Sequence, residues 1–270
     1  MRLVVLGDPV GHSLSPTIQQ AAFDAVGIPG TYEARQVDVE AMSVAVAEMR
    51  DGVLDGANVT MPHKAVAARL ADRLDAAAQR SGAANTWVRV DQDIVGHNTD
   101  VGGVSTVWKW AGLPVAAPVM VLGAGGAAAA ALLALEGRRV HVSTRRAEAG
   151  AELLSRLGIG GAVVPWGSGI FGAVVVNGTP LGMAGEALPD GVLEGATGLL
   201  EMAYGSGPTP AALSMSAAGL PVATGPEMLL AQGAASFELW TGRRAPVNAM
   251  RSAMTAEMAR RVRTGEAQLG

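Results

Sequence analysis

APVMVLGAGGAAAAALLALEGRRVHVSTRR occupies residues 117–146 of a 270-residue chain. A short apolar run, a glycine turn and an alanine-rich stretch read as strand, turn and helix. RRVHVS (138–143) then opens a second strand. Two strands joined by a helical crossover form a parallel pair, the unit of an α/β fold. The turn itself, Gly123-Ala124-Gly125-Gly126-Ala127-Ala128, fits G-x-G-x-x-A. In that pattern Gly123 makes the tight turn, Gly125 lets the backbone approach a pyrophosphate, and Ala128 keeps the helix close to the sheet. An ordinary turn is the plain alternative in a chain with 36 glycines, but the strand before it and the helix after it favour a dinucleotide site.

About twenty residues on, an NAD site usually carries an acid for the ribose 2′-hydroxyl. Thr144-Arg145-Arg146 stands there instead. Two arginines suit a 2′-phosphate and so favour NADP. Solvated surface arginines are the alternative, although cations at a helix start oppose the helix dipole. Arg138-Arg139, at a strand start, reads as solvated.

The same alternation extends outward. Strands are expected at 2–7, 31–37, 56–60, 85–90, 93–98, 173–180 and 197–204. Helices are expected at 16–26, 40–50, 62 to about 79, 103–111, 209–218, 227–241 and 247–263. Ser15 is expected as N-cap of the first helix with Pro16 at its first position. Residues 85–90 and 93–98 form a hairpin turning at Asp91–Gln92. Gly182–Gly195 is the most loop-like stretch. A second block begins near Val101, which gives two α/β domains with a cleft between them.

Composition narrows the chemistry. Hydrophobic residues are 49% and charged residues 16%, as in globular domains. A net charge of −4 argues against a general nucleic-acid surface. The absence of cysteine excludes disulfides, thiolate catalysis and cysteine-ligated metals. The N-terminal apolar run, about five residues, is too short for a signal peptide or a membrane span, and a cytoplasmic location is expected. His12, His63, His97 and His141 form no metal-binding spacing, so no metal is expected. Ser13 lies in no G-x-S-x-G elbow. The 12 methionines read as core filler.

Three polar strings sit where strands run into helices. In GDPVGHSLSP (7–16) the two serines can donate to a carboxylate beside a helix N-terminus, or Ser15 can simply cap it. In GANVTMPHK (56–64) Lys64 falls in a first helical turn, an unfavourable place for a fixed cation. It is an acid/base candidate, with a solvated lysine as the alternative. In GHNTDVGG (96–103) Asp100 ends the first block, and Asn98 and Asp100 can also cap the next helix.

Together with GAANT (82–86), GAGGAA (123–128), NGTPLGM (177–183), TPAAL (209–213) and GPEMLLAQGAASFELWTG (225–242), these strings resemble the shikimate dehydrogenase family over nearly the whole chain. The resemblance implies reduction of 3-dehydroshikimate to shikimate with NADPH, in the pathway to chorismate and the aromatic amino acids. It implies a substrate domain of residues 1–101 plus 228–270 and a Rossmann-type NADP domain of residues 102–227. Lys64 and Asp100 would be the catalytic pair. Ser13 and Ser15 would hold the substrate carboxylate. Thr60, Asn85 and Gln232 would bind ring hydroxyls, with Tyr204 nearby. Gly123, Gly125, Gly126 and Ala127 would line the pyrophosphate site, with Thr144, Arg145 and Arg146 at the 2′-phosphate. Thr179, Gly225 and Met228 would lie near the nicotinamide, with Gly102 and Gly103 as hinge candidates. The partners implied are small molecules, with the chain a monomer or homodimer and neither nucleic acid nor membrane bound.

The sequence departs from the family pattern at Gln19-Gln20, where His-Asn is usual, at Thr144-Arg145-Arg146, where Asn-Arg-Thr is common, and at Glu201, where aspartate is usual. Quinate or an aminoshikimate remains an alternative substrate. A non-catalytic NADP-binding regulator is a second alternative, against which the retention of both Lys64 and Asp100 argues.

Overall fold

The computed structural model describes residues 1–205 and 207–264. They divide into two compact units, Met1–Thr99 with Leu229–Thr264, and Asp100–Met228. Residues 265–270, part of the expected substrate segment, lie outside the described residues.

The first unit opens with β1 (Arg2–Gly7), α1 (Ser15–Val26), β2 (Thr31–Gln36), α2 (Val39–Arg50), β3 (Gly56–Val59), α3 (Lys64–Leu70), β4 (Arg73–Leu74), α4 (Ala76–Ser81), β5 (Thr86–Val90) and β6 (Asp93–His97). The strands form one sheet in the order β2-β1-β3-β5-β6-β4. β1 pairs in parallel with β2 and β3, whereas β5 runs antiparallel to β3 and β6, so the sheet is mixed. A continuous apolar run suits β1, because a strand buried on both faces needs no alternation. Trp87 is fully buried on β5, and its indole N–H donates to the Ala67 carbonyl at 3.0 Å. The β5–β6 turn holds Asp91 at φ 58°, a left-handed geometry that Asp tolerates better than most residues.

The second unit runs through α5 (Thr99–Trp110), β7 (Val119–Leu122), α6 (Gly126–Ala134), β8 (Val140–Ser143), α7 (Ala147–Leu157), β9 (Ala162–Val164), β10 (Val174–Asn177), β11 (Gly198–Glu201), α8 (Pro210–Ala217) and β12 (Val222–Ala223). Its sheet is wholly parallel, ordered β12-β11-β10-β7-β8-β9. This is the doubly wound arrangement, and the order reverses between β7 and β10, where such sheets bind ligands beyond their strand ends. The glycine turn lies at that point. Residues 182–195, between β10 and β11, contain turns but no α-helix.

Two helices close the chain, α9 (Gly225–Thr241) and α10 (Val247–Thr264). α10 lies along α1. From α9 the Trp240 indole donates to the Trp87 carbonyl at 2.9 Å, and Phe237 meets Phe23 of α1 with ring centroids 5.8 Å apart.

The structure corrects several expectations. Leu14, not Ser15, is the N-cap of α1, and Ser15 is already helical. The expected helix from Pro62 to Gln79 is two helices separated by β4. Asp72 and Asp75 donate backbone N–H groups to the carbonyls of Ile94 and Gly96, which draws the chain onto β6. α5 begins at Thr99 rather than Gly103, so Gly102 and Gly103 lie inside a helix. β9 and β12, three and two residues long, went unread because they are too short to carry a pattern. Arg138 is not simply solvated. Its guanidinium lies 4.4 Å from the Trp108 ring centroid and donates to the carbonyls of Pro114 and Val115.

Candidate active site

The ends of β3, β5 and β6 assemble the substrate candidates of the first unit. Beyond β3, Thr60 donates its N–H to the Leu6 carbonyl, and the chain turns through Pro62 into α3. Lys64 is the first residue of α3, after His63, whose ring Nε2 meets the Val37 carbonyl at 2.8 Å. The Lys64 carbonyl accepts the Ala84 N–H at 2.9 Å, so the chain entering β5 is tied to the lysine's own backbone. Asn85 follows, its N–H donating to the His97 carbonyl and its own carbonyl accepting from Val59. Three neighbouring strand ends thereby gather Thr60, Lys64 and Asn85.

The Asn85 side chain links these to α5 and α9. Its Oδ1 accepts the Thr99 N–H at 2.8 Å, which fixes the first turn of α5 immediately before buried Asp100. Its Nδ2 donates to Thr99 Oγ1 at 2.9 Å and to Gln232 Oε1 at 3.3 Å. Asn98 directs its amide to Ser81 and Ala83.

Behind Asn85 lies a buried polar cluster that the sequence reading did not single out. Asn58 donates to the Asn85 carbonyl, Thr86 Oγ1 and Ser236 Oγ at 3.0–3.1 Å, and accepts from the Tyr32 hydroxyl at 2.6 Å. Ser236, one turn after Gln232, donates to the Gln232 carbonyl at 3.0 Å. Buried polar groups cost stability unless partnered, so this cluster fixes Asn85 and Gln232 in one arrangement. The signal was available: Asn58 and Thr86 stand in the GANVT and GAANT strings, and Ser236 shares a helix face with Gln232.

Ser13 and Ser15 come together at the start of α1. Ser13 Oγ accepts the Ser15 N–H at 3.2 Å, and both residues are buried. Gln19, fully buried, donates to the Gly233 carbonyl at 2.8 Å. Gln20 reaches Asp24 and the Gly30 carbonyl.

In the second unit Gly123 has φ 98°, a left-handed value that favours glycine, and a Cβ there would come within 3.1 Å of the Gly178 carbonyl and Thr179. Gly123 and Thr179 are therefore neighbours. Gly125 is the N-cap of α6 and offers no side chain, and a Cβ at Gly125 would meet nothing within 4 Å. The first turn of α6, which opens with Gly126 and Ala127, carries no side-chain cap and no acidic residue. That is what a pyrophosphate needs. At the end of β8, Thr144 is buried with its hydroxyl on the Arg146 carbonyl, and Arg145 and Arg146 are exposed. These residues fit NADP: helix amides for the pyrophosphate and guanidinium groups for a further phosphate.

The strand ends of β10 and β11 are joined by Glu201. Its Oε1 accepts from Asn177 Nδ2 at 2.7 Å and from the Ala203 N–H at 3.0 Å, and its Oε2 accepts from the Thr209 hydroxyl at 3.0 Å. Asn177 Oδ1 in turn accepts the N–H and hydroxyl of Thr179 at 3.1 and 2.6 Å. Gly225 closes against this segment, where a Cβ would collide with the Ala203 carbonyl and the Tyr204 Cβ. Thr179, Tyr204 and Gly225 are thus held by one set of contacts, and buried Met228 follows one turn along α9.

Burial lifts the Glu201 carboxyl from 4.5 to about 7, against the lowering effect of its hydrogen bonds. The folded chain therefore holds a proton there that the unfolded chain has released. That contribution is present below about pH 4.5 and is lost as the pH rises through 7, a change on the order of 3 kcal/mol. Urea unfolding across this range should show Glu201→Gln gaining stability relative to the wild type as the pH rises. A difference that does not vary with pH would contradict the assignment.

Known proteins share this geometry. Residues 5–87 match the profile of the shikimate dehydrogenase substrate-binding domain, and residues 225–255 that of the shikimate 5′-dehydrogenase C-terminal domain. A shikimate dehydrogenase (NADP⁺) from Anaeromyxobacter sp. strain Fw109-5 is 38% identical over 265 residues, which cover 93% of this chain and 95% of that protein. The shikimate 5-dehydrogenase of Thermus thermophilus in complex with shikimate superposes with a TM-score of 0.87 at 34% identity, covering 96% of this chain and 99% of that one. The same enzyme in complex with NADP(H) and shikimate gives 0.86. Among the described residues no helix is long and apolar enough to cross a membrane.

Proposed function

Because the chain belongs to the shikimate dehydrogenase family, we propose that it catalyses the reversible NADPH-dependent reduction of 3-dehydroshikimate to shikimate. The observation that carries this reading is the convergence of Lys64, Asn85 and Thr99 at three adjacent strand ends. A lysine and a carboxylate beside buried amides are the groups a carbonyl reduction requires, one to move a proton and the others to orient a polyol.

NADPH supplies the hydride. The ammonium of Lys64 gives a proton to the reacting oxygen during reduction, and the amine takes it back in the reverse direction. Asp100 accepts a hydrogen bond from that oxygen's proton and orients Lys64. Thr60, Asn85 and Gln232 bind ring hydroxyls, with Tyr204 beside them. Ser13 and Ser15 donate to the carboxylate. The turn at Gly123, Gly125, Gly126 and Ala127 receives the pyrophosphate. Thr144, Arg145 and Arg146 hold the 2′-phosphate, and Thr179, Gly225 and Met228 lie along the nicotinamide. In this reading residues 1–101 with 228–270 form the substrate domain and 102–227 the NADP domain. The enzyme works in the cytoplasm as a monomer or homodimer.

The test is the near-ultraviolet absorbance of the reduced nicotinamide, with shikimate, quinate and an aminoshikimate each offered with NADP and with NAD. Turnover favouring shikimate with NADP is expected. Preference for quinate or the aminoshikimate would move the assignment within the family, and no turnover with any pair would overturn it.

A further inference from the structure

The last helix carries a side chain that reaches the serine loop. Arg261, on α10, donates from one guanidinium nitrogen to the His12 carbonyl at 2.6 Å and from the other to the Ser13 carbonyl at 3.4 Å. Its third nitrogen, Nε, donates to Glu257 Oε1 at 2.7 Å, one helical turn back. Glu257 is itself held by Arg260 at 2.8 and 2.9 Å. The guanidinium is therefore fixed at one edge by an anion of its own helix and presents its other edge to two consecutive carbonyls of the loop.

The opposite side of that loop is also fixed. Ser13 donates its N–H to the Val10 carbonyl at 3.0 Å, and its hydroxyl oxygen accepts from the Ser15 N–H. The charge of Arg261 reaches the loop as well: together with burial, the larger cause, it lowers the pKa of His12. A planar fork suits two adjacent acceptors in a way that a single ammonium does not.

We propose that Arg261 is a positioning residue for substrate binding: by holding the His12 and Ser13 carbonyls it aims the Ser13 and Ser15 hydroxyls at the substrate carboxylate and sets a positive charge behind them. This rests on the reading of Ser13 and Ser15 as the carboxylate site.

The test is steady-state kinetics of Arg261→Gln and Arg261→Lys, with Ser13→Ala as an independent control. Arg261→Gln should raise KM for shikimate roughly 5–20-fold, less than the full loss of a charge-assisted hydrogen bond to substrate, because Arg261 acts only through the serine loop. Its kcat and its KM for NADP should stay within about twofold. Arg261→Lys should fall between, because it keeps the charge and loses the fork. Added salt should raise KM more in the wild type than in Arg261→Gln, since only the wild type has the charge to screen. An unchanged KM for shikimate in folded Arg261→Gln would overturn the proposal. So would a fall in kcat and a rise in both KM values together with a lowered melting temperature, which would mark general loosening. If Ser13→Ala leaves KM for shikimate unchanged, the carboxylate reading itself fails. If Ser13→Ala raises it and Arg261→Gln does not, the clamp alone fails.

Discussion

Replacing Lys64 by alanine is expected to lower kcat by about 10²–10⁴-fold and to leave KM for shikimate within a few-fold, the pattern of a lost acid/base group. Lys64 stands first in α3, and its carbonyl is held by the Ala84 N–H. Alanine keeps that backbone bond and favours the helix. On the proposed mechanism, what goes is the proton carrier. Substrate hydroxyls would still meet Asn85 and Gln232, whose side chains are partnered to each other. The effect therefore belongs in the chemical step. Steady-state kinetics in both directions with a check of secondary structure will measure it. An undiminished kcat would remove Lys64 from the mechanism.

Arg145→Gln should raise KM for NADP by roughly 10–100-fold while changing KM for NAD little, because charge-assisted hydrogen bonds to a phosphate contribute about 1.5–3 kcal/mol each. Arg145 lies just beyond β8, exposed, beside the buried Thr144 whose hydroxyl sets the turn. Exposure puts the effect toward the lower end of that range, since water and salt screen the pair. Arg146 serves as N-cap of α7, and its carbonyl accepts from Thr144 and Ala149. Its side chain is a second donor, so Arg146→Gln should have the smaller effect. The ratio of kcat/KM for NADP to that for NAD is the readout. An unchanged ratio in Arg145→Gln would mean that another group reads the 2′-phosphate.

Much of the fold, and the placement of the candidate residues, was legible in the sequence because those residues stand where strands end. The glycine turn, Lys64 and the serine pair each follow a short apolar run, and such junctions carry their own punctuation in Gly, Pro and Ser. The doubly wound sheet was legible for the same reason, since β7, α6, β8 and α7 alternate cleanly. The failures have a common cause. Ser15 looked like a cap from residue type alone, but Ser13 meets its N–H from two positions back, so the helix starts one residue earlier. β4 was hidden inside a helical pattern because its two residues are held by β6, a partner that local periodicity does not reveal. Arg261 was invisible because its partners lie 249 and 248 positions away. Asn58, Thr86 and Ser236 stand within the motif strings, but their pairing joins distant parts of the chain. Their role emerges only when α9 is laid against β3 and β5.

That last contact bears on how the chain is made. Ser236 and Trp240 complete structures whose other halves, Asn58, Thr86, Trp87 and Gly56, are synthesised about 150 residues or more earlier. A nascent chain ending anywhere before α9 lacks the Ser236 hydroxyl that both Asn58 and Thr86 meet, and leaves the space beside Gly56 empty of indole. The second unit, by contrast, draws both its sheet and its glycine turn from one uninterrupted stretch, Asp100–Met228. The second unit can therefore reach its native form while the ribosome is still translating, whereas the unit that starts first must wait for the final helices to emerge.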